Sequence, residues 1–233
     1  DKLAYILNNC SAAAIITDAR SFALVKKLVY DVPSLKCAVI SGAQGDQTPA
    51  DNDLPILDYK QVQSEYAANR PAEVNIDLDL ACLIYTSGST GDPKGVMSDH
   101  SNVAFAASSI ISYLGNVAED VVISVLPLSF DYGLYQLLMV FKFGGTLVLE
   151  RSFAYPAVIL KRMETEKVTG FPGVPTVFSL LLNIDLSSYD LSALRYLSNT
   201  AAALPASHIQ QIRQKFPWAT LFSMYGLTET KRT

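Results

Sequence analysis

Short apolar runs of four to six residues alternate with longer amphipathic stretches along the whole chain. This alternation is typical of parallel β-strands covered by α-helices, because a strand buried on both faces is apolar throughout, whereas a covering helix is apolar along one side. In the second part of the chain, strands are predicted near residues 81–86, 121–126, 146–150, 168–171, 194–198 and 220–223. Helices are predicted between them, over residues 102–114, 132–143, 156–167 and 205–216.

The first part of the chain shows the same alternation on a smaller scale. A helix near 3–10, a strand at 13–17, a helix at 21–30 and a strand at 36–41 predict a βαβ unit at the start. The polar residues 42–55 predict an exposed loop, and a short helix is predicted from Asp58. We therefore predict an α/β fold of layered, mostly parallel sheets with covering helices. A candidate subdomain boundary lies near residues 57–79.

The composition supports a folded globule and excludes several classes of protein. The 233 residues are 50% hydrophobic and 17% charged, which is ample material for a buried core. Eighteen basic against 22 acidic residues give a formal charge of −4, so the chain offers no general basic surface for nucleic acid. Lys142, Gly144 and Gly145 interrupt the longest nearly apolar stretch, residues 134–149, so no membrane span is predicted.

The cysteines and the start of the sequence bear on location. Cys10, Cys37 and Cys82 are widely spaced and form neither a disulfide framework nor a paired metal-binding motif. The sequence also lacks a signal peptide, so we expect a cytoplasmic protein with reduced thiols. Because Asp1 lies inside a predicted helix, we expect the sequence to be a fragment of a longer protein.

The most informative stretch follows the predicted strand at 81–86 and runs from Thr86 to Gly95. Three glycines allow the backbone to approach a ligand, four hydroxyl groups offer neutral donors to anionic oxygens, and Lys94 supplies positive charge. The glycines are Gly88, Gly91 and Gly95, and the hydroxyl residues are Thr86, Ser87, Ser89 and Thr90. This combination favours a polyphosphate ligand. The alternative interpretation is a surface turn rich in Ser and Gly.

The loop departs from the common phosphate-binding signatures. Pro93 stands where a Walker A loop carries its second glycine, and Gly95 rather than Ser or Thr follows Lys94. The chain also lacks the GxGxxG of dinucleotide-binding folds and the GxSxG of hydrolases. A phosphotransferase with an atypical loop, which would release ADP rather than AMP, stays open as an alternative.

Two motifs carry a resemblance to a known family. YTSGSTGDPKG at residues 85–95 resembles the phosphate-loop signature of the AMP-forming adenylating enzymes, which include acyl-CoA synthetases, firefly luciferase and the adenylation domains of nonribosomal peptide synthetases. YGLTET at 225–230 resembles the second hallmark of that family. Residues 127–131 and 168–176 are similar to intervening family segments, so the resemblance covers nearly the whole chain. The implied fold is the core of the large domain of an adenylate-forming enzyme.

The resemblance implies ATP and Mg²⁺ as cofactors and gives roles to individual residues. Lys94, Thr86 and Glu229 would be catalytic, and Glu229 with Thr228 would hold Mg²⁺, which suits a carboxylate placed after a strand in an open sheet. Without the resemblance, Glu229 would be interpreted as a solvated surface charge. The implied ATP-binding residues are Thr86, Ser87, Gly88, Ser89, Thr90, Gly91, Lys94, Thr200, Ala201, Ala202, Tyr225, Gly226 and Thr228.

Two departures from the family pattern matter. The family typically carries Gly-Gly where Thr200 and Ala201 stand, so a positive φ is less accessible to this loop. The family's ribose-binding aspartate, its hinge and its small C-terminal lid domain with a catalytic lysine would all follow Thr233. We therefore expect residues 1–233 to be a partial large domain that is inactive by itself.

The implied reaction is the ATP-dependent activation of a carboxylic acid to an acyl-adenylate with release of pyrophosphate. In the complete enzyme the acyl group would pass to the thiol of CoA or of a carrier protein. The alternative is a non-catalytic nucleotide-binding or scaffold module that has kept the fold.

The acid would bind at a pocket formed by Phe130, Asp131, Tyr135 and Met224. Residues 129–131 resemble a segment in which amino-acid-activating members carry an aspartate that pairs with the substrate's ammonium group. Asp131 would then favour an amino acid, because a buried carboxylate needs a cationic partner. Alternatively, Asp131 caps the helix that begins at Tyr132, and the substrate is a fatty or aryl acid.

Overall fold

The computed structural model describes residues 2–27, 31–42, 54–66, 68–87 and 91–232. Its contacts divide the chain into two units, one formed by residues 1–76 and 85–95, the other by residues 77–84 and 96–233. Each unit is an α/β arrangement with parallel strands, so the predicted fold class is confirmed. None of the helices in the described ranges is long and apolar enough to cross a lipid bilayer.

The first unit contains a three-stranded parallel sheet in the order β1-β2-β3. Its elements are α1 (Lys2–Asn9), β1 (Ala14–Asp18), α2 (Ala19–Val25), β2 (Cys37–Ser41), β3 (Ile56–Asp58) and α3 (Tyr59–Glu65). Phe22 of α2 packs with Ala38 and Ile40 of β2 in the core of this unit. Asp58 caps α3 by accepting hydrogen bonds from the backbone nitrogens of Lys60 and Gln61, so the predicted start of this helix is confirmed.

Two further strands pair in a two-stranded sheet. They are β4 (Leu80–Thr86) and β5 (Lys94–Asp99). The sequence predicted β4 but not β5. Three of the six residues of β5 are polar and the strand begins within the glycine-rich stretch, so it lacks the apolar run that marks a buried strand.

The second unit is built on a five-stranded parallel sheet in the order β10-β9-β8-β6-β7. Its strands are β6 (Val121–Ser124), β7 (Thr146–Leu149), β8 (Gly170–Gly173), β9 (Tyr196–Asn199) and β10 (Thr220–Ser223). Its helices are α4 (His100–Leu114), α5 (Asp131–Phe143), α6 (Pro156–Thr165), α7 (Pro175–Leu182) and α8 (Ala206–Lys215). Two short strands, β11 (Gly226–Leu227) and β12 (Lys231–Arg232), form a separate antiparallel pair.

Both faces of the five-stranded sheet are buried. Leu197 of β9 belongs to the larger core cluster with residues of α6, α7 and α8, whereas its neighbour Tyr196 packs with residues of α4 and α5. The Tyr196 ring needs the space above Gly170 of β8, where a Cβ atom would lie 2.4 Å from the ring. The central strands are therefore apolar on both sides, as the sequence pattern indicated.

Two helices begin at positions that differ from the predicted ones. α6 begins at Pro156, as predicted, but Pro205 is the N-cap of α8 and lies outside the helix. α4 begins at His100 instead of residue 102, and Asp99 caps it, since its Oδ1 accepts from the backbone nitrogen of Asn102 at 2.6 Å.

A polar network joins the amino ends of three strands in the second unit. Asp120 precedes β6 and is 2% exposed. It receives hydrogen bonds from Arg195 at 2.6 Å and from the Thr169 hydroxyl at 2.7 Å. Asn116 donates to both Asp120 and the Tyr196 hydroxyl. Burial would raise the pKa of Asp120, but the hydrogen bonds from Arg195, Asn116 and Thr169 outweigh it and hold the pKa below 3.8.

Candidate functional site

A cavity of about 390 Å³ opens at the carboxyl ends of β9 and β10. Residues 200–203, which follow β9, form one part of its lining, and residues 223–227, at the end of β10, form the other. The two strands are parallel neighbours, so the loops that leave them emerge at the same edge of the sheet, where ligands bind in open α/β folds. The structure thus brings together Thr200, Ala201, Ala202, Tyr225 and Gly226, all predicted from the sequence as ATP-binding residues.

The walls of this cavity differ in character. Thr200 is 2% exposed and is followed by three alanines, so that loop presents small side chains and accessible backbone. The Tyr225 side chain is 71% exposed and offers an aromatic face. Small side chains beside an aromatic ring suit a flat heteroaromatic ligand that stacks on one side and approaches backbone on the other.

The loop after β9 has a strained backbone that one buried side chain supports. Ala201 has φ +73°, in the left-handed region that favours glycine. Asn199, the last residue of β9, donates from Nδ2 to the Ala202 carbonyl at 2.9 Å. Its own carbonyl accepts from the Met224 backbone nitrogen at 2.8 Å. The sequence pattern did not indicate Asn199, because it follows another polar residue, Ser198, at the end of a short strand.

The residues predicted to hold Mg²⁺ lie between β11 and β12. Thr228 is half-buried and Glu229 is exposed, and the turn between the two strands is closed by a hydrogen bond from the Thr230 nitrogen to the Leu227 carbonyl at 3.2 Å. A carboxylate and a hydroxyl offer oxygen donors of the kind that Mg²⁺ takes in company with phosphate and water oxygens. The donor chemistry at this turn therefore fits the ion.

The glycine-rich stretch belongs to the first unit. Thr86 ends β4, Ser87 is exposed, Gly91 has φ +105°, and Lys94 is the exposed first residue of β5 rather than a loop residue. The predicted phosphate-binding residues Gly88, Ser89 and Thr90 lie outside the described residues.

Both ends of this stretch are anchored on Tyr85. The Tyr85 hydroxyl donates to Asn9 Oδ1 of α1 at 2.6 Å. A Cβ atom at Gly95 would lie 3.0 Å from the Tyr85 ring, so the glycine after Lys94 allows β5 to pass close to that ring. Burial raises the pKa of Tyr85, which keeps its hydroxyl protonated as a donor. The anchored strands hold Thr86 and Lys94 at the two ends of the stretch.

The residues predicted to form the acid pocket differ in burial, and only some of them line the cavity. Phe130, not Asp131, is the N-cap of α5, so the capping interpretation of Asp131 is wrong. Asp131 is the first helical residue and is 6% exposed. At this position its negative charge interacts favourably with the positive end of the helix dipole. Phe130 is 39% exposed. Met224 lines the cavity, whereas Tyr135 is buried among residues of α4 and α5.

A family model described as AMP-binding enzyme matches residues 1–231. The chain belongs to the AMP-binding enzyme family. The predicted family is therefore confirmed, and so is the predicted large-domain fold of an adenylate-forming enzyme.

Three known proteins are similar to this chain. The long-chain-fatty-acid–CoA ligase of Bacillus subtilis (strain 168) is 34% identical over 164 residues, which are 67% of this chain and 28% of the ligase. VinN, in a complex structure with L-aspartate, is 28% identical with a TM-score of 0.69, and the match covers 99% of this chain and 68% of VinN.

The anthranilate CoA ligase AuaEII, in a crystal structure with anthranoyl-AMP, matches with a TM-score of 0.84 at 24% identity. This match covers 98% of our chain and 43% of the ligase, and at this identity it shows the fold. The chain thus spans less than half of the length of both CoA ligases.

Proposed function

We propose that the AMP-binding chain is the nucleotide-binding part of an enzyme that activates a carboxylic acid with ATP. An oxygen of the acid attacks the α-phosphorus of ATP, the bond from that phosphorus to pyrophosphate breaks, and an acyl-adenylate forms. A thiol of CoA or of a carrier protein then attacks the acyl carbon, and AMP leaves as the thioester forms. The observation that carries this proposal is the cavity at the ends of β9 and β10, which is lined by residues 200–203 and by the start of the YGLTET motif.

The roles proposed for the described site residues follow the family resemblance. Tyr225 and Gly226 would contact the adenine from one side, and Thr200 to Ala202 from the other. Thr86, Ser87 and Lys94 would hold the β- and γ-phosphates and stabilise the charge of the departing pyrophosphate. Glu229 and Thr228 would hold Mg²⁺, which when bound neutralises phosphate charge. The protein's contribution is chiefly orientation and electrostatic stabilisation.

The acid itself has two candidate classes. The resemblance of residues 129–131 to the segment that carries an ammonium-pairing aspartate favours an amino acid, and VinN was solved with L-aspartate. The similarity to the long-chain-fatty-acid–CoA ligase of Bacillus subtilis favours the second class, an acid without an amine. A substrate panel on wild type and Asp131→Ala separates them. Amino-acid activation that is lost in the variant supports pairing, and turnover confined to acids without an amine excludes it.

The reaction is tested by acid-dependent ATP–pyrophosphate exchange in the complete natural protein that carries this chain. Exchange together with AMP formation supports the ligase. Calorimetric ATP binding without exchange with any acid of the panel supports the non-catalytic module, and release of ADP supports a phosphotransferase. Glu229→Gln should raise the Mg²⁺ concentration needed for half-maximal exchange, whereas Glu166→Gln, at an exposed position after α6, should leave it unchanged.

A further inference from the structure

The wall of the cavity formed by residues 200–203 holds a conformation that its sequence disfavours. Ala201 carries a Cβ atom at φ +73°, where L-residues other than glycine are uncommon. The loop lies at the cavity edge, so its backbone path decides which groups face a ligand. Something other than local preference must stabilise this path.

Asn199 is placed to do so. The hydrogen bond from its side chain to the Ala202 carbonyl spans Ala201 and closes the turn. Asn199 also pairs with Ser223 in the β9–β10 register and accepts the Met224 backbone N–H, so the same residue is tied to the opposite wall of the cavity. One buried residue therefore connects both segments that line the cavity.

The chemistry of the amide points to a role beyond stability. Only the Nδ2 end can donate to a carbonyl, so the contact with Ala202 fixes the orientation of the amide. Asn199 is 1% exposed, and its buried Oδ1 has no hydrogen-bond partner among the described residues. A buried acceptor without a partner lowers stability, and an apolar side chain would avoid that cost. A polar residue at this position is better explained by the loop geometry that it enforces.

We propose that Asn199 is a positioning residue that holds residues 200–203 in the left-handed turn required for nucleotide binding. This inference rests on the proposed function. Asn199 acts through the loop and need not touch the nucleotide. Without its side chain, the loop relaxes toward conformations with negative φ at Ala201, and the apparent affinity for ATP falls in proportion to the fraction of molecules that keep the competent loop.

The test uses the complete natural protein and measures ATP–pyrophosphate exchange at saturating acid. We expect Asn199→Ala to raise the KM for ATP about fivefold to tenfold with kcat changed less than threefold, because the loop affects binding before it affects chemistry. Asn199→Asp keeps the side-chain shape but places an acceptor against the Ala202 carbonyl, and it should raise KM at least as much. The result therefore does not depend on whether the alanine variant folds well.

A double variant distinguishes positioning from general support of the fold. Glycine at position 201 adopts positive φ without strain, so Asn199→Ala combined with Ala201→Gly should recover most of the wild-type KM. As a matched control, Asn183→Ala removes a similar side-chain bond, from Nδ2 to the Ser179 carbonyl at 2.8 Å, at the end of α7. This control should leave the KM for ATP unchanged.

Each outcome has a defined meaning. An active wild type whose Asn199 variants keep the wild-type KM overturns the positioning role and leaves the proposed function intact. A KM increase that Ala201→Gly does not relieve also overturns it, since the loop would then not be what Asn199 holds. A wild type that shows no exchange with any acid in the panel contradicts the proposed function itself.

Discussion

At the scale of single residues, Ala201 stores strain that a glycine would release. A left-handed conformation costs an L-residue about 1–2 kcal/mol, and glycine avoids this cost. The greater conformational freedom of glycine in the unfolded chain offsets part of the stability gained. We expect Ala201→Gly to raise the free energy of unfolding by about 1 kcal/mol, measured by urea denaturation. Ala202→Gly is the control, because Ala202 has no positive φ and should lose stability instead. A loss in both variants would contradict strain at Ala201.

Lys94 is exposed at the start of β5, so its removal should spare the fold. If its ammonium group stabilises the departing pyrophosphate, Lys94→Ala in the complete protein should lower kcat by about 10²- to 10³-fold. Lys60→Ala, at an exposed position of α3, is the matched control and should retain activity. Near-normal turnover in Lys94→Ala, measured by pyrophosphate exchange, would mean that Lys94 is only a solvated surface charge.

At the scale of secondary-structure elements, Asp120 ties together the amino ends of β6, β8 and β9. Asp120→Asn removes the charge that Arg195 meets, and Arg195 is 41% exposed, which reduces the effect through solvent screening. We expect a loss of about 2 kcal/mol of unfolding free energy at pH 7.

The effect of Asp120→Asn should depend on pH with a defined sign. The folded pKa of Asp120 lies below its usual 3.8, so the carboxylate stabilises the fold above that pH and the stabilisation is lost as pH falls through the folded pKa. Denaturation curves of wild type and variant should therefore differ at pH 5–7 and converge as the pH is lowered through the acid range. A gap that stays constant down to pH 2 would mean that the stabilisation does not depend on the ionisation of Asp120.

The elements that the sequence predicted well are those with a continuous apolar signal. The strand expected at 220–223 has these bounds in the structure, and α5 begins one residue before its predicted start. β3 has three residues, too few to show a pattern, and α7 follows a Pro-rich stretch that hid its helical period. Asp131 was open to two interpretations because the position of an N-cap depends on backbone dihedral angles that a sequence pattern locates only within a residue or two.

The candidate site was predictable to a similar extent. Thr200, Tyr225 and Gly226 were predicted from the family resemblance, and the parallel pairing of β9 and β10 explains why the loops after these two strands line one cavity. Asn199 was not predictable, because its role depends on an Nδ2 contact and on the φ of Ala201, neither of which a residue pattern contains.

At the scale of the whole molecule, the stretch from residue 68 to residue 79 contains no helix or strand, and every residue from 68 to 81 is exposed. Its apolar side chains are unusually accessible, with Val74 83%, Ile76 65% and Leu78 74% exposed. The ion pair between Arg70 and Glu73 is also exposed, at 82% and 75% of the two side chains, so it adds little protection. Proteases bind extended, exposed backbone, and this stretch provides it.

We therefore expect a glutamate-specific protease to cut the 233-residue chain first after Glu73, giving pieces of 73 and 160 residues. Mass spectrometry of brief digests checks the site. Glu65 lies in α3 and Glu119 in a turn whose neighbour Asp120 is tied down by hydrogen bonds, so cleavage there should follow later. Glu73→Gln should abolish the first cut and lengthen the lifetime of the intact chain. An unchanged lifetime, or first cleavage after any other glutamate, including the exposed Glu166 and Glu229, would contradict this expectation.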